Sequence, residues 1–340
     1  MKRRFSLGTF ASSDQPHPRH PGDRDGTFAG VVIEHEPGAA RVVPVAELLR
    51  GETRSLNELL DNWAESFARL AGAVDELPDA ARGIPLETLA VRAPIAPRQV
   101  FCTGANYRKH VIEIFMSLGG GHTTEHMDTT TRRAFAERLM LERAEHGEPY
   151  AFTKPVTTVT GPHATVLLPD IGKEPDWELE LGVVFGAHTY NVSREKALAH
   201  VAGYVIANDL TMRDRIYRHD IKALGTDWIK GKGSPGFLPT GPFLVPAAFV
   251  PAPSELRIVL SLNGKTMQDE MTSEMVFDIP RQIEHISRFA AILPGDLLCT
   301  GSPAGNGGHY GRYLRPGDVL EGSITGLGTQ RVTFEAKERS

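Results

Sequence analysis

Apolar residues alternate with polar ones over many short stretches of this chain, and recur at helical spacing in only a few. Residues 1–50 read as β, with Phe28–His35 and Ala40–Val45 as short strands around the turn Glu36-Pro37-Gly38. From Ser55 to Leu77 the period changes. Leu56, Leu59, Leu60, Trp63, Phe67 and Leu70 recur at three- and four-residue steps, which predicts an amphipathic helix. The Pro-rich stretch Pro85–Pro97 reads as a connector, so a small N-terminal α+β domain over 1–97 precedes a larger one over 98–340.

The larger part begins with a strand, Gln99–Gly104, and a helical turn around His110. After the flexible break Gly119–Gly121, residues 129–147 form a second helix with Ala134, Phe135, Leu139, Met140 and Ala144 along one side. Strands then dominate. A strand pair is expected over 156–168 around Gly161-Pro162, single strands over Asp176–Gly186 and Gly203–Ala207, and a hairpin turning at Asn263-Gly264. Ser193 is placed to cap a helix over Arg194–Val201, and Ile279–Phe289 reads as a short helix. Two Pro-Gly-Asp turns, ending at Asp296 and Asp318, each feed a strand, which suits a β-roll.

Composition narrows the class. The chain has 340 residues, 41% of them hydrophobic, enough for a sizeable core. Its 34 Gly and 24 Pro fit short strands and tight turns. The net charge of −5, with no basic run beyond Lys2-Arg3-Arg4, leaves no nucleic-acid footprint. No apolar run approaches the roughly 20 residues of a membrane span. Phe5–Phe10 is too short and too broken for a signal core, so a cytoplasmic location is expected. Cys102 and Cys299 lie in different apolar strands and read as buried small hydrophobes in a reducing compartment.

Candidate chemistry gathers at a few positions. On the Asp176–Gly186 strand, Glu178 and Glu180 project to one side while Trp177, Leu179 and Leu181 project to the other. Paired carboxylates in an apolar strand either meet water on an exposed face or hold a hard cation. Asp209, at the end of a later strand, is either a further ligand or a turn former. His110 and Glu113 are one helical turn apart. They are either a surface pair or a carboxylate-held general base.

Other motifs carry less. His122-Thr-Thr-Glu-His126 matches the pattern of inverted zinc peptidases, but its glycine and threonine flanks suit a loop and no third ligand follows on a nearby helix. Gly231–Gly236 fits a dinucleotide fingerprint literally, yet no strand precedes it and Pro235 sits where a helix should begin. Lys232 within it is a loop cation close to the Asp209–Arg213 segment. Ser302 lacks nucleophile-elbow spacing, and Thr300 at a strand end could offer a hydroxyl to a ligand.

The order of these features is informative. Asn106-Tyr107, His110, Glu113, Lys154-Pro155, Glu178-Leu-Glu180, Asn208-Asp209, Arg213-Asp214, Gly231-Lys232, Pro239-Thr-Gly-Pro242, Asn263-Gly264, Pro294-Gly-Asp296 and Thr300-Gly-Ser-Pro303 follow one another along the chain. That series resembles the fumarylacetoacetate hydrolase family over about residues 98–335, in particular its catechol-pathway hydratase/isomerase and acylpyruvase branch. The resemblance implies a β-rich α+β fold, with a mixed β-sandwich roll behind the small N-terminal domain, and a homodimer. It implies a divalent metal, Mg²⁺ or Mn²⁺ with Ca²⁺ able to replace them in crystals, held by Glu178, Glu180 and Asp209.

The implied activity is hydrolysis of C–C bonds in acylpyruvate-type 2-oxo acids, through an enolate that the chelating metal stabilises. His110, held by Glu113 on a lid hinged at Gly119–Gly121, would activate water. Lys232 would neutralise an oxyanion. Tyr107, Lys154, Arg213, Tyr217 and Thr300 would contact the small-molecule substrate. Isomerisation, hydration or decarboxylation of 2-oxo or 2-hydroxydienoic acids is the alternative within the family. A zinc hydrolase built on His122 and His126, and a non-catalytic metal-stabilised β-protein, are the alternatives outside it. The family's fumarylacetoacetases carry an extra Asp ligand upstream of the His, where this chain reads Gly104-Ala-Asn-Tyr107, and the stretch between Glu113 and Lys154 is longer than in short members.

Overall fold

Strands rich in β-branched and aliphatic residues, buried on both faces except at one edge, make the sheet that carries the site. In spatial order they are β15 (Val245–Pro246), β12 (Val201–Asn208), β11 (Leu179–Phe185), β18 (Leu297–Cys299), β6 (Val100–Gly104) and β7 (Tyr150–Lys154). Neighbours are antiparallel except β18 and β6, which run parallel with Cys299 and Cys102 in register. These two free, buried cysteines are thus neighbours across the sheet. Every residue of β11 and β12 is buried. The computed structural model describes residues 3–12, 26–36, 39–51, 55–78, 83–117, 127–218, 220–221 and 225–337.

The odd-numbered side of β11 (Leu179, Leu181, Val183, Phe185) enters one apolar core, shared with a second sheet. That sheet runs β17 (Lys265–Met271), β16 (Arg257–Leu262), β19 (Val319–Ile324), β20 (Gly328–Ala336), β9 (Thr165–Leu168). Along β16 and β19 burial alternates residue by residue, as expected where one face is packed and the other wet. Asn263 and Gly264 take φ of 51° and 82° at the β16–β17 turn, the left-handed pair that a tight hairpin requires.

Val184, on the opposite side of β11, lies in a second core with Val205, Ala207, Cys102 and Cys299. Phe5, Leu7, Leu59 and Leu70 of the N-terminal region join the same core. Its sheet runs β4 (Ile84–Pro85), β3 (Ala39–Pro44), β2 (Phe28–Glu36), β1 (Ser6–Ser12), β5 (Leu89–Arg92). Helices α1 (Val45–Leu48), α2 (Leu56–Asp61) and α3 (Trp63–Asp75) accompany it.

The structure differs from the sequence expectations at several places. The helix expected over 55–77 is two, because Asn62 takes φ −136° and its side-chain amide donates to Glu65 instead of continuing the turn. The expected connector 85–97 contributes β4 and β5, since Leu89–Ser12 pairing gives its backbone groups partners. The pair expected over 156–168 is not a hairpin. β8 (Val159–Thr160) runs parallel to β14 (Leu238–Pro239), while β9 follows β20, drawn there by Arg331 N–H on the Pro162 carbonyl and Thr333 N–H on that of Ala164. Arg194–His200 is a 3₁₀ helix without a Ser193 side-chain cap. α7 (Ile279–Phe289) forms as expected, capped by Asp278.

Four further pieces frame the site. β10 (Pro175–Asp176) pairs with β13 (Thr211–Met212) beside the start of β11. α4 (Arg108–Ser117) carries His110, and α5 (Thr129–His146) packs on it through Phe115 and Phe135, burying Ala136 and Met140 rather than Ala134. α6 (Trp228–Lys232) puts Lys232 on a helix, not in a loop, and α8 (Gly307–Tyr310) faces α4. Gly119–Gly121, His122 and His126 lie outside the described residues. Among the described residues no helix is long and apolar enough to cross a membrane.

Candidate metal and catalytic site

The site forms where β11 begins. Its first N–H groups find side chains instead of a neighbouring strand. Glu178 N–H donates to Asn208 Oδ1 at 3.0 Å and Leu179 N–H to Gln268 Oε1 at 3.1 Å. The expected continuous strand over 176–186 therefore divides at Trp177–Glu178. Asp209 N–H in turn donates to the Glu178 carbonyl at 2.8 Å, which brings the end of β12 beside the start of β11. Pleat alternation puts Glu178 and Glu180 on one face, and Asp209 meets them there. Oxygen atoms of the three lie within 4.8 Å of one another, and all three residues are buried. This face is no wet surface.

Cations converge on these carboxylates. Lys232 Nζ donates to Glu178 Oε2 at 2.6 Å, to Asp209 Oδ2 and to Thr211 Oγ1 at 2.7 Å. Lys154 Nζ donates to Asp209 Oδ1 at 2.5 Å and to the carbonyls of Leu210 and Phe237. Arg213 joins Asp176 (2.8 Å) and Glu178 (2.5 Å). Asp176 is itself fixed by the N–H groups of Trp177, Gly307 and Gly308. Among the described residues Glu180 accepts from one backbone donor, Gly301 N–H at 2.7 Å. Gly301 has φ +99°, and a Cβ there would stand 2.7 Å from the Asn106 Cβ. Only glycine allows that approach.

The charges sort themselves accordingly. Burial favours a protonated Glu178, but Arg213 and Lys232 outweigh it and hold the carboxyl well below its usual range. Burial, then the charges of Asp209 and Glu178, push Glu180 well above it. Burial would lower Lys232, yet Asp209 and Glu178 raise it overall. Four buried carboxylates (Asp176, Glu178, Glu180, Asp209) thus face three cations (Lys154, Arg213, Lys232). The unmatched carboxylate is Glu180. Hard divalent ions sit about 2.0–2.6 Å from each oxygen, so ligand oxygens roughly 3–4 Å apart, and up to about 5 Å when opposite each other, suit them. The all-oxygen donor set, its spacing and its surplus negative charge fit such an ion.

Above this floor lies a cavity of about 230 Å³ lined by residues that include His110, Arg213, Tyr217, Lys232 and all three candidate ligands. His110 is buried, and its Nδ1 has no hydrogen-bond partner. Burial, then the positive charge of Arg213, pull the imidazole down to about 4. It is neutral near pH 7, as a proton acceptor must be.

Several sequence expectations are corrected here. Glu113 does not hold His110. Its carboxylate lies 3.1 Å from His309 Nδ1 and accepts Gly305 N–H at 3.2 Å. The longer reach to the glycine-rich loop gives Glu113 two donors that a single turn of α4 does not. An ammonium has three donors. Lys154 and Lys232 each have three acceptors already, so Lys154 positions Asp209 instead of meeting substrate, and Lys232 has no donor left for an oxyanion. Thr300 donates its hydroxyl to the Leu181 carbonyl at 2.8 Å. Tyr107 is fully buried, its hydroxyl without a partner, and neither residue lines the cavity. Arg213 and Tyr217 do line it. Sequence reasoning missed Asp176, Thr211, His309 and the rings of Tyr150, Phe152 and Trp228; the place of Tyr150 and Phe152 four and two residues before Lys154 on one strand was a signal for the last group.

Comparison with known proteins gives the family. Residues 99–335 match the family described as fumarylacetoacetate (FAA) hydrolase C-terminal, and the chain belongs to that family. It is 42% identical over 189 residues to a 2,4-didehydro-3-deoxy-L-rhamnonate hydrolase from a Sphingomonas species, covering 54% of this chain but only 64% of that protein. It is 32% identical over 248 residues to a human mitochondrial oxaloacetate tautomerase, covering 72% of this chain and 69% of that one. A probable 2-hydroxyhepta-2,4-diene-1,7-dioate isomerase from Mycobacterium abscessus shares the fold, with a TM-score of 0.70 at 26% identity over 98% of this chain and 100% of its own. The fold is thus the mixed, β-rich α+β fold of this family, and the protein is an enzyme of its hydrolase, isomerase and tautomerase group.

Proposed function

We propose that the protein is a divalent-metal-dependent hydrolase that cleaves C–C bonds of acylpyruvate-type 2-oxo acids. The observation that carries this is the placing of a neutral His110 in the cavity whose floor is the trio Glu178, Glu180 and Asp209. Those three would hold the ion, Mg²⁺ or Mn²⁺. When bound, it supplies a Lewis acid for the keto and carboxylate oxygens of a 2-oxo acid. With a 2+ ion the floor changes from one surplus negative charge to one positive, which suits an anionic substrate.

The chain's own groups supply the rest. The unpartnered Nδ1 of His110 takes a proton from the attacking water. Arg213 has five N–H donors, of which its Asp176 and Glu178 contacts leave some for a substrate carboxylate. Lys154 and Lys232 hold Asp209 and Glu178 in place. Tautomerisation or isomerisation of the same substrates is the second reading, favoured by the relatives named as a tautomerase and an isomerase. It would use the same His110 as a proton shuttle on carbon. A small-molecule 2-oxo acid as partner, a homodimeric assembly and a cytoplasmic location belong to this proposal; sedimentation tests the assembly.

The test is a panel of acylpyruvates, oxaloacetate and 2-hydroxydienoates with Mg²⁺ or Mn²⁺. Cleavage of an acylpyruvate to pyruvate and a carboxylic acid supports hydrolysis. Interconversion without cleavage transfers the assignment to the second reading. His110→Ala with intact turnover and bound metal would remove the proposed base.

A further inference from the structure

The cavity has two unlike ends. One is the carboxylate floor. The other is walled by aromatic and aliphatic side chains. Tyr150, Phe152 and Lys154 are alternate residues of the edge strand β7, so one strand face supplies both two wall rings and the ammonium that holds Asp209. α6 supplies the third ring, Trp228, one helical turn before Lys232. Phe152 and Trp228 stack with centroids 4.4 Å apart and planes 10° apart. The Trp228 indole N–H donates to the Tyr150 hydroxyl oxygen at 2.7 Å, which uses the indole's one donor and ties the two rings together. The three rings are therefore fixed as a block before any ligand arrives.

The block begins beside the floor. Lys232 Nζ lies 5.5 Å from the Phe152 centroid and 5.9 Å from that of Trp228. Ile114, Ile216 and Tyr217 add further apolar surface to the cavity. Among the described residues lining it, the lysine and arginine are Lys232 and Arg213, and both sit at the floor end, bound to its carboxylates, so that the donors Arg213 has left serve the 2-oxo acid end. A second carboxylate at the outer end would be desolvated against rings with no cation of its own. A flat conjugated group would gain ring contacts there.

We propose that the Tyr150–Phe152–Trp228 block is the specificity wall, and that the preferred substrate is a 2-oxo acid whose distal group is aryl or similarly conjugated, not a second carboxylate. This rests on the proposal that the 2-oxo acid end lies at Glu178, Glu180 and Asp209. The wall selects by preorganised apolar surface, since rings already held in place lose little entropy when they bind. The oxaloacetate and dioate named for two relatives carry a second carboxylate, the distal group that this wall disfavours.

Calorimetry on the full chain loaded with Mn²⁺ tests it, using pyruvate, 2-oxo-4-phenylbutanoate and 2-oxopentanedioate. These share the chelating end and differ in the distal group. The phenyl ligand is expected to bind on the order of tenfold more tightly than either of the others. Trp228→Leu is expected to bring that advantage to within about threefold, and Phe152→Leu to do the same should the first variant fail to fold. Equal or tighter binding of the dicarboxylate overturns the inference, as does an equal loss for all three ligands in either variant. In those outcomes the 2-oxo acid reading stands. If none of the three binds although Mn²⁺ does, that reading fails and takes the wall's assignment with it.

Discussion

On the cavity floor, Lys154 and Lys232 each have all three donors matched by acceptors, and Arg213 joins two carboxylates. On α4 above it, His110 keeps a buried nitrogen without a partner while Glu113 turns away to His309 and Gly305. The floor comes largely from strand ends of the central sheet, held by β11–β12 pairing and by the side chains of Asn208 and Gln268 on the first N–H groups of β11. The upper side comes from one helix, which meets α5 and α8 and reaches β17 through the ion pair of Lys109 with Glu270 at 2.7 Å. A binding floor built this way is rigid before ligand arrives. A proton-transfer group on a lightly held helix completes its hydrogen bonds only with substrate or water present.

This contrast can be broken most sharply at His110. His110→Ala is expected to lower kcat by about 10²–10⁴ while Mn²⁺ affinity stays near that of the parent. A parallel fall in metal affinity would show that floor and upper side are one unit. Lys154→Met removes a cation from a fully buried pair and leaves Asp209 short of a donor. Urea unfolding of the metal-free protein should register a loss of about 3–5 kcal/mol. A loss below 1 kcal/mol would mean that the floor relaxes, against the rigidity inferred here.

Glu180→Gln sharpens the same point from the other direction. Metal affinity should fall at least about a hundredfold. Stability without metal should hold or rise, because the one carboxylate without a cation is gone. A less stable metal-free variant would contradict the charge count.

The pH dependence follows from that residue. Its pKa is raised in the folded, metal-free protein, so folding is favoured while Glu180 is protonated. That contribution is complete below the ordinary carboxylate range and is lost as pH climbs through the raised value. Melting temperature in chelator should therefore decline with rising pH across this window, while Mn²⁺ affinity increases and binding releases a proton. A flat profile in both would oppose the assignment. The smallest effect is expected of Thr300→Val. It should cost about 1 kcal/mol through the lost hydroxyl donor to Leu181 and leave KM unchanged, since the residue does not reach the cavity.

Legibility of the chain followed the range of the interactions. Pleat alternation placed Glu178 and Glu180 together, and a strand end marked Asp209. The Asn263-Gly264 turn and the α7 helix were readable because each rests on adjacent residues. Pairings at long range were not. β8 and β9 found parallel partners about 80 and 170 residues away in place of each other. Cys102 and Cys299 proved to be neighbours across β6 and β18. Glu113 sits one turn from His110, and spacing alone could not show that His309 would take it.

What the sequence by itself determined, then, is local: the strands, their faces, the left-handed glycine turns, and through the ordered motifs the family and its three candidate metal ligands. Those features depend on residue type and short spacing. Tertiary structure alone decided which donors the lysines have left, where Glu113 points, and that Tyr150, Phe152 and Trp228 share one wall with the floor. These depend on distances between segments that only the packed sheets bring together, and on the desolvation that makes a carboxylate without a cation, such as Glu180, different from its neighbour two residues away.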